Sequence, residues 1–272
     1  MPYVLEAKTE FERLEQQSSF SKYDYEKEFS RSGIIIESGQ RVLDAGCGSG
    51  IVSRYFAKMY PKAMVTGCDI SDERIERARQ EAADLPNLDF QVQDLSHLAF
   101  ENESFNLIFC RYVLQHLPQK IRHPALIELA RCLKPRGQIC VIDFDGPFYN
   151  IYPQTEFIAD VLQKLETEAP FDLRVGRKLP HLLHTAGFKE IHWQIETIEG
   201  RGKILDDEKQ LIPPKIDHAM PFLSEFLGSI ALAQRFKNEY LGLLNQPDLV
   251  LFYNKFIVTA KKTTAVTLRL MK

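Results

Sequence analysis

Long apolar runs are missing from this chain of 272 residues. No stretch reaches the roughly 18 consecutive apolar residues that a membrane-spanning helix needs, so the sequence predicts no membrane partner. The opening residues, MPYVLEAKTEFERLE, are charged and hold no apolar signal core, which argues against a secretory leader. Cysteine is sparse and odd in number: Cys47, Cys68, Cys110, Cys132 and Cys140, with no CxxC pair among them. Zinc sites of the usual spacing are thereby disfavoured. Cys68, Cys110 and Cys140 fall inside apolar runs, where a thiol behaves as a small buried hydrophobe. Free thiols in a reducing, cytoplasmic compartment are the expectation. A surplus of positive charge is also absent: 34 Lys and Arg stand against 37 Asp and Glu, a net charge of −3, and the sequence pI is about 6.2. The basic residues are dispersed. Nucleic-acid phosphates call for a basic face, so a small molecule is the expected partner and nucleic acid is not. No internal repeat or low-complexity tract appears.

What is present is an ordinary globular composition, 44% hydrophobic and 26% charged, long enough to bury a large core without staples. Residues 5–30 carry apolar or aromatic positions at helical spacing (Leu5, Phe11, Leu14, Phe20, Tyr23, Tyr25, Phe29) in a charged background. From Arg41 the pattern changes. Short apolar runs alternate with helical segments: RVLDAG, then a helix to Tyr60; AMVTGCD, then a helix over Asp72–Asp84 opened by Ser71; LDFQVQD; FNLIFC; a helix over QKIRHPALIELARCL, closed at Lys134-Pro135-Arg136-Gly137; and QICVIDFD. Such alternation predicts a parallel sheet covered on both faces. After Asp145 it loosens. Ile151–Glu168 and Arg177–Ala186 read as helices, FKEIHWQIETI as a sixth strand, Leu205–Gln246 as mainly helical with a break at Pro213-Pro214, and LVLFYNKFIVTAKK as a long final strand. The expected organisation is a helical cap over 1–40, an α/β core over 41–200 and 247–262, and a helical insert over 201–246 that serves as a substrate lid.

The strongest local signal is VLDAGCGSG, Val42–Gly50. A strand delivers the chain into a glycine-rich turn, and a helix follows at once. Gly46, Gly48 and Gly50 let backbone lie where a Cβ would collide, and the helix start offers unpaired N–H groups. A dinucleotide fingerprint, G-x-G-x-x-G, would set a pyrophosphate on that helix start. Here the glycines are spaced G-x-G-x-G, and Ile51 stands where the third dinucleotide glycine belongs. Asp44 would repel a pyrophosphate but accept from an ammonium. Both features favour S-adenosylmethionine, which has an ammonium and no phosphate, over NAD. Asp69, ending the second strand, can take both hydrogen bonds of a ribose diol, or it can cap the helix that follows.

The pattern D-x-G-C-G-x-G after a strand resembles motif I of class I S-adenosylmethionine-dependent methyltransferases of the small-molecule type. The resemblance covers residues 40–145 and extends over 176–195. It implies a Rossmann-like α/β fold: a seven-stranded, mostly parallel sheet with an antiparallel last strand, helices on both faces and a helical lid. It further implies that Asp44, Gly46, Cys47, Gly48 and Gly50 hold the cofactor, that Asp69 binds the adenosyl ribose, and that Ile70 packs on adenine. By the same resemblance Asp94 accepts from the adenine amino group with Leu95 beside it, and Arg111, Tyr112 and Val113 face the methionine end.

Methyl transfer from a sulfonium needs the nucleophile held in line in a dry pocket; a base matters only for a protonated nucleophile. His116 is the candidate general base, with loop support as its alternative role. Asp145, just past the fifth strand, lies where open α/β sheets place their ligand crevice and is the second catalytic candidate. Tyr23 and Tyr25 either close over the cofactor or belong to a core. His181 and His184 have no accompanying carboxylate in a ligand pattern, so no metal is expected. The apolar stretch Phe222–Leu244 would form a lid core, line a pocket or make a homodimer face. No N-P-P-Y tetrapeptide follows the fourth strand, which disfavours amino methylation of DNA or protein glutamine. The expected activity is methylation of a small-molecule oxygen, nitrogen or carbon nucleophile. The alternatives are a NAD-type oxidoreductase and a non-catalytic S-adenosylmethionine-binding protein.

Overall fold

A computed structural model describes residues 10–263. Five parallel strands form its centre: β1 (Arg41–Ala45), β2 (Met64–Asp69), β3 (Leu88–Val92), β4 (Phe105–Arg111) and β5 (Leu133–Asp145). They lie in the order β3-β2-β1-β4-β5. The long β8 (Val250–Lys262) continues the sheet antiparallel to β5, and β7 (Phe188–Glu199) pairs antiparallel to β8. The sheet has eight strands, one more than expected, because the two-residue β6 (Ile151–Tyr152) pairs with the start of β8.

The central strands read as near-continuous apolar runs because both faces are covered. Alternation along each strand then sends neighbours to opposite layers. Leu43, Ile108 and Cys110 pack on one side with Leu126 and Leu129 of α5 (Gln119–Cys132). Val42, Leu107 and Phe109 pack on the other with Phe56 of α3 (Ile51–Met59). The helix α4 (Asp72–Gln80) begins as expected at Ser71, whose side chain accepts from the Arg74 amide. Beyond the sheet centre stand α6 (Glu156–Glu168), α7 (Leu179–Thr185), α8 (Lys203–Phe226) and α9 (Ile230–Leu243).

Four expectations need correction. The N-terminal helical stretch is two helices, α1 (Glu10–Gln17) and α2 (Tyr25–Ser32). Asp24 restarts the second by accepting from the Lys27 amide at 2.9 Å; positions 5–9 lie outside the described residues. Ile151 and Tyr152 are strand, not helix, and α6 starts only after Thr155 caps the Ile158 amide. Residues 133–137 belong to β5 instead of closing α5 as a loop. Pro213-Pro214 does not break α8. Two N–H donors are lost there, but Ile212 and Ile216 are buried with Ile158 and Leu162 of α6 and Phe236 and Tyr240 of α9. Tertiary packing holds the helix through the prolines. Residues Tyr149 and Ile151, α6, α8 and α9 thus share one apolar core, separate from the two sheet layers. Leu223, Ala233, Phe236 and Leu243 of the apolar Phe222–Leu244 stretch point into it.

Candidate functional site

At the end of β1 the chain turns through Gly46 at φ +76°. A Cβ there would sit 2.4 Å from Cγ2 of Val113, so only glycine allows the close approach of the two loops. The Gly46 and Cys47 amides donate to the Cys68 carbonyl at 2.8 and 2.9 Å, which pins the turn to the end of β2. Gly50 has a different reason to be glycine. It lies off the cavity wall, and a Cβ on it would meet the Phe90 ring at 2.5 Å. Packing against Phe90 is by itself enough to require glycine here.

The turn opens on a cavity of about 330 Å³, whose wall includes Asp44, Gly46, Cys47, Gly48, Asp69 and Ile70. Asp44 is buried, with the Ser53 hydroxyl donating to it at 2.6 Å. Burial pushes its carboxyl up to about 6. Asp69 accepts from the Gly48 amide at 2.9 Å, the Ser71 amide at 3.1 Å and the Arg74 guanidinium at 2.8 Å. Those three donors use most of a carboxylate's four or so lone-pair sites. A ribose diol would therefore share Asp69 with Arg74 or displace it. Ile70 is 65% exposed and stands on the wall as a free apolar shelf.

After β3 the wall is formed by Gln93 and Leu95, not by Asp94. Asp94 points outward, and its Oδ1 accepts from the Ser96 amide at 2.8 Å and the Ser96 hydroxyl at 2.7 Å. The turn it makes occupies Oδ1 of the carboxylate expected for adenine and holds the side chain away from the cavity wall.

Arg111 ends β4 and Tyr112 and Val113 follow it, all three on the wall. Tyr112 has φ +58° and stacks on Phe144, ring centroids 4.4 Å apart. Sequence reasoning missed the partner that holds this loop. Glu28 of α2 is buried and accepts from Arg111 Nε at 2.5 Å and from the Tyr112 hydroxyl at 2.6 Å. Arg111 also donates to the Tyr23 carbonyl at 2.7 Å. In sequence, Glu28 looks like one more charge on a solvated helix face. Tyr23 lines the cavity; Tyr25 packs instead against Tyr55 at 5.2 Å.

The two catalytic candidates part company. His116 is half-buried on the cavity wall, and burial together with Arg13, Lys215 and Arg74 pushes its imidazole down to about 3. Such a ring is neutral near pH 7 and a weak base. Asp145 is buried off the cavity, gripped by Arg177 through two hydrogen bonds of 2.7 and 2.8 Å. That bidentate pair explains its place at the end of β5 and removes it from the crevice. Asp143, also buried, accepts from the Gln115 and Phe144 amides at 3.1 and 3.2 Å, and burial pushes it up to about 8.

The far wall comes from distant segments: Phe148, Phe171 and Leu173 after β5, and Glu208, Ile212 and Lys215 of α8. No group of metal-binding side chains occurs among the described residues.

The donor set fits S-adenosylmethionine. A desolvated carboxylate, Asp44, stands beside the glycine turn where an ammonium would restore the charged form. A second, Asp69, ends β2, and Ile70 and Leu95 offer apolar surface beyond it. A pyrophosphate would meet two carboxylates instead of open amides.

Residues 42–137 match the family described as Methyltransferase domain. An uncharacterized methyltransferase of Schizosaccharomyces pombe is 29% identical over 146 residues, 51% of this chain and 51% of that protein. The chain thus spans about half the length of that relative. A demethylmenaquinone methyltransferase of Staphylococcus epidermidis is 24% identical over 197 residues, 66% of this chain and 81% of that protein. Among solved structures, phosphoethanolamine N-methyltransferase 2 of Haemonchus contortus, in complex with S-adenosylhomocysteine, superimposes with a TM-score of 0.57 at 18% identity, over 88% of this chain and 53% of that one. That likeness is one of fold. The family match opens at Val42, where the strand enters the glycine turn, and runs through β1 to β4 into the start of β5; over these residues the chain is similar to the methyltransferase domain family.

Proposed function

We propose that the protein transfers a methyl group to an oxygen, nitrogen or carbon nucleophile of a small molecule by in-line displacement. The observation that carries this reading is the continuity of one cavity. It runs from the glycine turn at Gly46–Gly48 to a wall of Phe148, Phe171, Leu173 and Ile212. S-adenosylmethionine supplies an electrophilic methyl whose transfer needs alignment and exclusion of water more than covalent help. In this reading Asp44 holds the ammonium, Asp69 the ribose, and Ile70, Gln93 and Leu95 the adenine. Gly46, Cys47 and Gly48 supply backbone against the methionyl chain, and Arg111 and Tyr112 fix the loop that faces it. His116, neutral, orients groups by hydrogen bonding and does not take the proton. Residues of α1 and α2 act as a cap, and α8 and α9 as the acceptor lid.

The relatives' names support a small-molecule acceptor: one names demethylmenaquinone, another phosphoethanolamine. The dispersed basic residues support the same choice over nucleic acid. No helix among the described residues is long and apolar enough to cross a membrane. A cytoplasmic location is part of the proposal, supported by five buried, unpaired cysteines. A homodimer through Phe222–Leu244 is not needed, since that stretch already packs within the chain.

Calorimetric titration with S-adenosylhomocysteine, with NAD as control, tests the cofactor. Micromolar binding of the first alone is expected, and Asp69→Ala should weaken it by about 1.5–3 kcal/mol, the loss typical of charge-assisted hydrogen bonds. Binding of NAD instead would overturn the reading. Turnover on a metabolite panel then separates an enzyme from a non-catalytic binding protein.

A further inference from the structure

Most cations on the cavity wall are matched to a carboxylate. Arg13 pairs with Glu10 at 2.6 Å, Arg74 with Asp69 at 2.8 Å, Arg111 with Glu28 at 2.5 Å, and Lys22 with Glu208. Lys215 of α8 is different. Its ammonium donates to the Tyr23 hydroxyl at 2.6 Å and sits 5.1 Å from the centre of that ring. No carboxylate of the described residues lies within ion-pairing range of it. An ammonium has three donors, and one is used.

An unpaired charge on a half-desolvated wall is costly. Burial first, then Lys22 and Arg13, lower its pKa well below the usual lysine value, while the more distant Glu208 and Glu10 act the other way. Nothing in the packing of α8 demands a cation at this position: its neighbours Ile212 and Ile216 are apolar and buried. A surface lysine would simply swing into water. This one is held against Tyr23, at the junction between the N-terminal helices and α8, facing the cavity. Burial disfavours the charged ammonium, and its spare donors lie on the cavity wall, so an anion is the ligand that would restore the charge and take those donors.

We propose that Lys215, positioned by Tyr23, is the anion anchor of the acceptor subsite, and that the methyl acceptor is an acidic small molecule bearing a carboxylate or a phosphate group. The assignment rests on the methyl-transfer reading for the word acceptor, but anion binding itself does not depend on it. Lys215 holds the acidic end, Phe148, Phe171 and Leu173 cover the apolar body, and the nucleophile is left toward the glycine turn.

The test is a calorimetric titration of the full chain, with and without saturating S-adenosylhomocysteine. The probes are benzoate, phenyl phosphate and butyrate against benzylamine and butylamine. The wild-type protein should bind at least one anion tenfold or more tightly than the amine of matching skeleton. Lys215→Met and Lys215→Gln should lose at least tenfold of that affinity, and Lys215→Arg should keep most of it. Equal affinity for anion and amine, no anion binding at all, or wild-type anion affinity in a folded Lys215→Met protein would overturn the proposal. Should both neutral variants fail to fold, the anion-over-amine preference of the wild-type protein still decides. Anion binding without S-adenosylhomocysteine binding sinks the methyl-transfer reading alone; the reverse sinks the anchor alone.

Discussion

Glu28 meets Arg111 across 83 residues of chain, at 2.5 Å, with Glu28 buried and Arg111 largely covered. The same carboxylate lies 2.8 Å from Lys255 of β8. One residue of the N-terminal cap therefore ties together β4, its loop and the antiparallel strand β8. Glu28→Ala would leave Arg111 and Lys255 beside too little negative charge; of the two, Glu196 reaches Lys255 alone, at 3.2 Å, and it already pairs with Lys27 and Arg31. Removing one partner of a buried pair typically costs about 3–5 kcal/mol. Urea unfolding should show a loss of that order for Glu28→Ala. A loss below about 1 kcal/mol would mean that the cap is not fastened here.

That tie also marks the limit of what could be read from the chain. Strands β1, β2, β4 and β5 were legible because burial on both faces writes a continuous apolar run, and the glycine turn because its parts are adjacent in sequence. Glu28, Lys215 and Glu208 were not. Each sits on an amphipathic helix whose charges look like a solvated face, and each finds its partner far away: Tyr23 is 192 residues from Lys215, and Lys22 is 186 from Glu208. Asp145 and Asp44 look alike in sequence, each an acid at the end of a buried strand. Only Arg177, 32 residues further on, turns Asp145 from a site residue into a structural one. The prolines of α8 misled for the complementary reason, since local propensity was overridden by a core built from three separated segments.

Asp145 should therefore behave as a structural residue. Asp145→Asn keeps the shape but loses the charged pair with Arg177, so thermal unfolding should report a loss of about 1.5–3 kcal/mol. The affinity for S-adenosylhomocysteine should stay at the wild-type value. A variant that keeps its stability but loses cofactor or acceptor binding would return Asp145 to the site.

His116 makes a prediction about acid. Its folded-state pKa, about 3, lies below the ordinary 6.5, so the unfolded chain binds the proton more readily. The stability this contributes is present above pH 6.5 and is lost as pH falls from 6.5 toward 3, at up to about 1.4 kcal/mol per pH unit. His116→Asn should flatten that part of the stability profile. For the same reason a kcat profile should show no inflection near 6.5 from this residue; one that disappears in His116→Asn would restore it as a base.

Asp44 acts with the opposite sign. Burial raises its folded-state pKa from 3.8 to about 6, so the proton is favoured in the folded chain. The stability it contributes is present below pH 3.8 and lost as pH rises through 6. An ammonium beside the carboxylate reverses the preference, because it interacts with the charged form. Binding of S-adenosylhomocysteine should then release a proton. Its affinity should level off between pH 7 and 7.5 and fall by as much as tenfold for each unit below 6, where the ligand's own amine stays charged. Asp44→Asn should remove this slope and weaken binding at pH 7.5 by about 1.5–3 kcal/mol. A wild-type affinity that does not change between pH 5 and 7.5 would place the ammonium elsewhere, and the glycine turn would lose the carboxylate that distinguishes it from a phosphate cradle.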